Sequence, residues 1–89
     1  MKAFDPGQLV MTTNAANTLD PEDVHTALQR HLRCDWGELC EEDRMMNDEA
    51  LEYGDGRLFS VYRDRSGIKF YIITEADRSA TTVLLPEDY

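Results

Sequence analysis

The chain has 89 residues, of which 42% are hydrophobic and 30% charged, and its 18 acidic against 9 basic side chains give a formal net charge of -9 at pH 7. This length supports one domain with one core, because a chain of this size buries roughly two-thirds of its unfolded surface on folding. The acidic balance argues against a general nucleic-acid-binding surface and against a peripheral membrane protein, since both rely on Lys and Arg to meet anionic groups.

The first predicted elements are a strand and a helix. Residues 8–13 are apolar and partly β-branched, which predicts a strand, and the Asn-rich residues 14–17 predict a turn after it. Asp20 is a suitable N-cap and Pro21 fits the first helical position, so we predict a helix over residues 21–33. Its apolar face has helical spacing and consists of Val24, Ala27, Leu28 and Leu32.

A second helix is predicted from about Cys40 to the residue before Gly54. Acids in its first turn suit the positive end of the helix dipole, and a glycine after the last turn is a common helix terminator. The apolar residues that follow helical spacing predict an inner face made of Leu39, Met46, Ala50 and Tyr53.

The rest of the chain changes to strand character. Residues 57–63, 68–74 and 80–85 are rich in β-branched and aromatic side chains, and polar segments of hairpin length separate them. The predicted element order is therefore β-α-α-β-β-β. We expect a single α+β domain over residues 1–89, with an antiparallel sheet and both helices packed on one of its faces.

The negative charge is concentrated in one part of the chain. Residues 1–56 hold 13 acids and 4 basic residues, whereas residues 57–89 hold 5 of each. Residues 35–55 alone hold nine acids against Arg44, a balance of -8. One interpretation is an ordinary solvated helix face, and the alternative is a surface that attracts a basic protein, in its sharpest form by mimicking DNA. The candidate partner-binding residues are Trp36, Glu38, Glu41, Glu42, Asp43, Asp48, Glu49 and Glu52.

Two further features allow two interpretations each. Glu75, Asp77 and Arg78 lie in the polar segment between the last two predicted strands, where they serve either turn formation or contact with a partner. Trp36 is the single tryptophan and is either a core residue or an aromatic anchor at an interface.

Catalytic, metal and cofactor sites are not predicted. His31, Cys34 and Cys40 are too few for a zinc site with paired ligands, and the neighbouring acids would raise rather than lower a thiol pKa. The acids also lack the alternating spacing of a calcium-binding loop. We therefore expect a protein that is not an enzyme.

Residues 35–89 resemble a family of short bacterial proteins carried on plasmids and other mobile elements. The resemblance rests on Asp35-Trp36-Gly37, on Glu41-Glu42-Asp43 and above all on residues 72–89. Members often carry the label "type I restriction endonuclease subunit M" or "plasmid-related protein". This chain has neither the Gly-rich turn nor the Asn/Asp-Pro-Pro-aromatic motif of a methyltransferase, so the resemblance implies an accessory protein of a mobile element. Its target would be a host nucleic-acid-binding or DNA-restricting protein.

The predicted element order is also similar to that of RelE/ParE-type toxins, some of which cleave messenger RNA. Basic and aromatic side chains on the sheet would then be the candidate groups, although the overall acidity argues against RNA binding. These groups are Arg57, Arg63, Arg65, Lys69, Arg78, Tyr62, Tyr71 and Tyr89.

The sequence also supports expectations about location and assembly. It lacks a run of about 20 apolar residues, the length that spans a bilayer, and Asp5 and Pro6 stand where a signal peptide needs apolar residues. We therefore expect a cytoplasmic protein with reduced thiols. Residues 70–73 are apolar at successive positions, so that both faces of this strand need cover, and helices on one face would leave the other for a homodimer.

Overall fold

A four-stranded mixed sheet and three α-helices form the fold in the computed structural model, which describes residues 4–89. The α+β class is confirmed, and the helices and strands follow the chain in an order that differs from the prediction by one extra helix. The elements are β1 (Gln8–Met11), α1 (Thr13–Thr18), α2 (Pro21–Leu32), α3 (Glu41–Tyr53), β2 (Leu58–Arg63), β3 (Lys69–Thr74), β4 (Ala80–Leu84) and a final 3-10 turn (Pro86–Asp88).

The strand order across the sheet is β1-β4-β3-β2. The three consecutive strands β2, β3 and β4 are antiparallel, as predicted from their short polar connections. The expectation of a wholly antiparallel sheet is wrong, because β1 pairs with β4 in parallel, with Gln8 opposite Ala80 and Met11 opposite Val83. All three helices and two strands separate β1 from β4, so no hairpin fixes their relative direction.

The segment after β1 is a helix rather than the predicted turn. The Thr12 side chain caps α1 by accepting a hydrogen bond from the Ala15 backbone N–H. The Asn14 side chain donates to the Asp88 carboxylate at 2.8 Å. Because Asp88 holds this amide, Asn14 does not compete for the local backbone, which is the property that makes asparagine favour turns.

Helices α1 and α2 pack on one face of the sheet. The N-cap of α2 is Asp20, whose carboxylate accepts from the Glu22 N–H at 2.9 Å, and Pro21 begins the helix as predicted. The core on this face is apolar and combines both helices with three strands: Ala15, Leu19, Val24, Ala27, Tyr62, Phe70, Ile72, Val83 and Leu85.

Helix α3 does not pack on this face, so the prediction of two helices on one face is wrong for it. It lies along β2 and borders the opposite face of the sheet. Its predicted inner face is also wrong in part, because Met46 and Tyr53 are 65% and 72% exposed. The buried positions are Asn47 and Ala50, which turns the helix by about a sixth of a revolution relative to the prediction.

The strand whose apolar faces suggested a homodimer is covered within the chain. Phe70, Ile72 and Ile73 of β3 are all buried. Exposed apolar side chains occur instead on the edge strand β1, where Leu9 is 57% and Val10 41% exposed. Tyr71 of β3 remains half-buried on the second face of the sheet, and the homodimer stays a prediction.

Candidate partner-binding surface

Helix α3 is attached to the sheet by a polar contact on the free edge of β2. The buried Asn47 side chain donates from Nδ2 to the Phe59 carbonyl at 2.7 Å and accepts from the Phe59 N–H at 3.1 Å. One residue pair farther along, Val61 bonds with Trp36 and Glu38 through the backbone. The outward backbone groups of Phe59 and Val61 are thereby satisfied, and Asn47 of α3 together with residues 36–38 takes the place of a neighbouring strand.

The Asn47 contact leads to a testable expectation for stability. Replacing Asn47 with alanine should lower the free energy of unfolding by about 2–3 kcal/mol, because it leaves a buried N–H and carbonyl of Phe59 without partners. Urea denaturation measures this effect, and the nearby exposed Asp48→Ala serves as the control with a change within about 0.5 kcal/mol. An equally small effect for Asn47→Ala would mean that α3 does not depend on this contact.

Two arginines fix the ends of α3. The Arg44 guanidinium donates to the carbonyls of Leu39 and Gly37, which holds the segment before the helix against its first turn. Arg78 donates to the carbonyl of Ala50 at 3.1 Å and to that of Gly56 at 2.8 Å, which ties the last turn of α3 and the segment after it to the loop before β4. Both cations therefore position the helix and are already bound within the fold.

The acids predicted to bind a partner are on the surface. Of this set, Glu38 forms an ion pair with Arg63 at 3.1 Å, and its side chain remains half exposed. Within residues 4–89, the other six have no basic side chain within ion-pair distance. All six belong to α3 and are exposed: Glu41, Glu42, Asp43, Asp48, Glu49 and Glu52.

Helical spacing arranges most of the exposed side chains of α3 in two ridges, because residues three or four apart share a face. The groove ridge consists of Glu42, Met46 and Glu49. The outer ridge consists of Glu41, Met45, Asp48 and Glu52. Each ridge places a methionine between carboxylates, and both methionines are more than half exposed.

A groove of about 300 Å³ lies between α3 and the second face of the sheet. Its floor carries Phe59, Tyr71 and Ile73, with the rings of Phe59 and Tyr71 4.9 Å apart between centroids. Met46 contributes to the helix side, and Tyr89 closes the aromatic cluster at 6.1 Å from Tyr71. The polar side chains around this apolar centre are Asp43, Asn47 and Arg57.

The final 3-10 turn holds Tyr89 at the groove. The Asp88 carboxylate accepts hydrogen bonds from Thr12 Oγ1 at 2.6 Å, from Asn14 Nδ2 and from the Leu85 N–H. These bonds, with Thr12 first, lower the pKa of Asp88. The carboxylate therefore stays ionised and ties the turn to the start of α1.

Two predicted contact sites serve the fold. Trp36 is 2% exposed and packs with Leu39 and Leu58, so it is a core residue without a surface to offer as an anchor. In the loop before β4, Arg78 is occupied by carbonyl groups, and hydrogen bonds from the Ser79 side chain first and the Ser79 N–H second lower the Asp77 pKa. Glu75 closes the same turn by accepting from the Arg78 N–H through its carbonyl. These contacts are of the turn-forming kind that the sequence allows for this segment.

The basic groups of the toxin-like hypothesis are mostly engaged within the chain. Arg63 binds Glu38, and Arg65 binds Asp23 at 3.0 Å while lying within 3.6 Å of two more acids at the start of α2, its N-cap included. Tyr62 is buried and donates to the Asp35 carbonyl at 2.6 Å. Within the described chain, the members of this set that reach one common place are Arg57, Tyr71 and Tyr89, which line the groove.

His31 is buried in a chain of hydrogen bonds that crosses the core. Its Nδ1 contacts Ser60 Oγ, and its Nε2 contacts Thr74 Oγ1 at 2.9 Å. Thr74 Oγ1 then lies 2.7 Å from Thr81 Oγ1, which donates to the carbonyl of Pro6. Burial lowers the pKa of His31 to about 4, so the ring is neutral at pH 7 and has no access to a substrate.

The cysteines are free thiols, as expected. Burial first, and the charge of Asp48 second, raise the pKa of Cys34, which opposes thiolate chemistry. Cys40 is exposed at the N-cap of α3. Within residues 4–89, no group of three or more His, Cys, Asp or Glu side chains is placed to hold a metal ion, and no helix is long and apolar enough to cross a membrane.

Sequence reasoning missed the groove and its link to α3. Tyr71 and Ile73 are two residues apart on β3, and Phe59 lies opposite Ile73 on β2. Strand periodicity therefore predicts that the three side chains share one face of the sheet. The sequence signal for Asn47 was its position between the apolar residues Met46 and Ala50. A prediction from hydrophobic spacing counts apolar side chains only, so it does not place a buried amide that binds backbone groups.

No protein-family model matches the chain, and neither a curated protein nor a solved structure is significantly similar to it. The chemistry of the surface residues is therefore the basis for a proposed function.

Proposed function

We propose that the protein is a non-enzymatic binding module that recognises a protein with a basic surface through α3. The observation that carries this proposal is the set of six exposed carboxylates on α3 that have no basic partner among residues 4–89. Several acids elsewhere are used internally, as Asp23 and Asp35 are by Arg65 and Arg30. The contrast favours an intermolecular role for the α3 acids over ordinary solvation.

The way α3 is mounted supports the same function. Asn47, Arg44 and Arg78 bind backbone groups at the middle and at both ends of the helix. A surface held in this way loses little conformational freedom on binding, which is an advantage for affinity. Its negative field would also accelerate encounter with a basic partner.

An RNA-cleaving function has less support. Binding a phosphate backbone needs several available cations, and Arg63, Arg65 and Arg78 are already engaged with acids or carbonyls. Arg57 lies in the groove beside Asp43, close to the most acidic helix of the protein. This environment repels RNA.

The resemblance to accessory proteins of mobile elements suggests what the basic partner does. Such a partner would be a host nucleic-acid-binding or DNA-restricting protein, whose own DNA-binding surface supplies the Lys and Arg side chains. Duplex DNA is then expected to compete with this protein for the partner.

Charge reversal tests the proposal. The variant Glu49→Lys/Glu52→Lys should reduce capture of basic proteins from bacterial lysate by at least about tenfold, because charged contacts at a close interface contribute more than about 1.4 kcal/mol. Both positions lie in the second half of α3, where lysine suits the helix dipole, so the helix itself is not weakened. Quantitative mass spectrometry of the captured proteins gives the measurement.

The matched control changes net charge equally outside α3. Glu22→Lys/Glu87→Lys alters two exposed acids on α2 and on the final turn and should leave capture within about twofold of the original, since surface charge far from an interface contributes little energy. Equal losses for both variants would show a response to net charge alone. Unchanged capture by the α3 variant would overturn the proposal.

A further inference from the structure

The groove and the acids of α3 are parts of one continuous surface. Met46 lines the groove and also lies in the groove ridge, between Glu42 and Glu49 at helical spacings of four and three residues. Carboxylates therefore stand on both sides of the point where the helix meets the groove. A ligand that covers Met46 therefore lies beside both of them.

The interior of the groove suits an apolar side chain. Phe59, Tyr71 and Tyr89 form three ring pairs with centroids 4.9 to 6.4 Å apart, and Met46 adds a flexible thioether beside them. Met46 and Tyr89 are 65% and 72% exposed, so both present surface that a ligand would cover. Aromatic and methionine side chains are enriched where one protein buries an anchor of another.

We infer that this groove binds an apolar anchor residue of a basic peptide segment from the partner protein, with the flanking Lys or Arg side chains placed against Glu42 and Glu49. The inference rests on the proposed function and adds the chemical form of the partner. Charge complementarity favours a basic peptide over a second copy of this chain, because a second α3 would place carboxylates against the carboxylates at the rim of the groove. Arg57 at the groove supplies guanidinium donors for backbone carbonyls of the bound segment.

A phage-displayed random peptide library is the probe, selected against the full-length protein. The enriched peptides are expected to carry Trp, Phe or Leu with Lys or Arg on both sides. Their affinities are then measured by calorimetry for the wild-type protein and for two neutral truncation variants. The groove variant is Met46→Ala/Tyr89→Ala, and the control is Met45→Ala/Tyr53→Ala.

The two variants remove the same residue types from comparably exposed positions, with Met45 57% and Tyr53 72% exposed. Net charge is unchanged in both, so differences between them report apolar contact. The groove variant should bind the selected peptides at least about tenfold more weakly, and the control should bind within about twofold, as expected for a local anchor.

The outcomes separate this inference from the proposed function. Loss of peptide binding in Glu49→Lys/Glu52→Lys but not in the groove variant would overturn the inference and leave the proposed function standing. Loss in the groove variant but not in the charge variant would support the groove and contradict the acidic surface. Selection of acidic peptides, no selection at all, or a dimer in light scattering that the groove variant dissociates would each overturn the inference.

Discussion

Replacing Gly37 with alanine is expected to lower the free energy of unfolding by about 3 kcal/mol or more, as a left-handed backbone conformation and a steric collision act together. Gly37 has φ of +73°, and a Cβ placed there collides with the Val61 carbonyl oxygen and lies 2.8 Å from the Tyr62 ring. The close approach allows residues 36–38 to bond with β2, so the substitution separates this segment from the sheet. Urea denaturation monitored by circular dichroism measures the change in the free energy of unfolding.

Gly54 supplies a matched control for this substitution. It has φ of +70° at the C-cap of α3, but a Cβ there meets no atom within 4 Å. Gly54→Ala should therefore cost about 1 kcal/mol, which is the conformational cost without the collision. If the two substitutions cost the same, the close packing of residues 36–38 against β2 would be refuted.

Acidification from pH 7 to pH 5 is expected to lower the free energy of unfolding by about 2 kcal/mol through His31, and by about 3 kcal/mol at pH 4. The folded pKa of His31 is about 4, below its ordinary value of 6.5, because burial disfavours the charged ring. Below pH 6.5 the unfolded chain therefore binds more protons than the folded chain, and stability falls. The effect is complete once the pH passes below the folded pKa.

The hydrogen-bond chain determines which tautomer the neutral His31 ring adopts. Thr81 donates to the Pro6 carbonyl, so Thr74 must donate to Thr81 and accept from His31 Nε2–H. Nδ1 is then the acceptor for the Ser60 hydroxyl, which leaves every hydroxyl hydrogen of the chain with an acceptor. Nitrogen NMR should report the Nε2–H tautomer at pH 7.

His31→Gln isolates this contribution. Its stability should be nearly constant from pH 7 to pH 5, because acids with lowered pKa values such as Asp23 and Asp88 lose their contribution mainly below this range. A wild-type protein whose stability does not change between pH 7 and pH 5 would contradict the buried neutral histidine.

Local sequence signals predicted the elements that local chemistry determines. The Asp20 cap with Pro21 located the start of α2, and short polar segments located the hairpins among β2, β3 and β4. The parallel pairing of β1 with β4 depends on contacts between residues more than 70 positions apart in the chain. Helix α1 depends on Asp88 in the same way. Neither contact has a local sequence signature.

The sequence predicted the charge of the candidate site but not its shape. Charged side chains are rarely buried without a partner, so the surface positions of the six α3 acids could be anticipated. The orientation of α3 could not be anticipated, because the Asn47 amide binds the Phe59 backbone. This contact leaves Met46 on the surface. That rotation places a methionine expected in the core at the rim of the groove.

The most direct test of α3 as the binding surface is amide NMR shift mapping of the labelled protein with a purified captured partner. Binding through α3 predicts that the largest shifts and line broadening fall on residues 41–53, with further changes at the groove residues Phe59, Tyr71 and Tyr89. Changes confined to the β1 edge at residues 8–11 or to the loop at residues 75–79, with α3 unaffected, would contradict it.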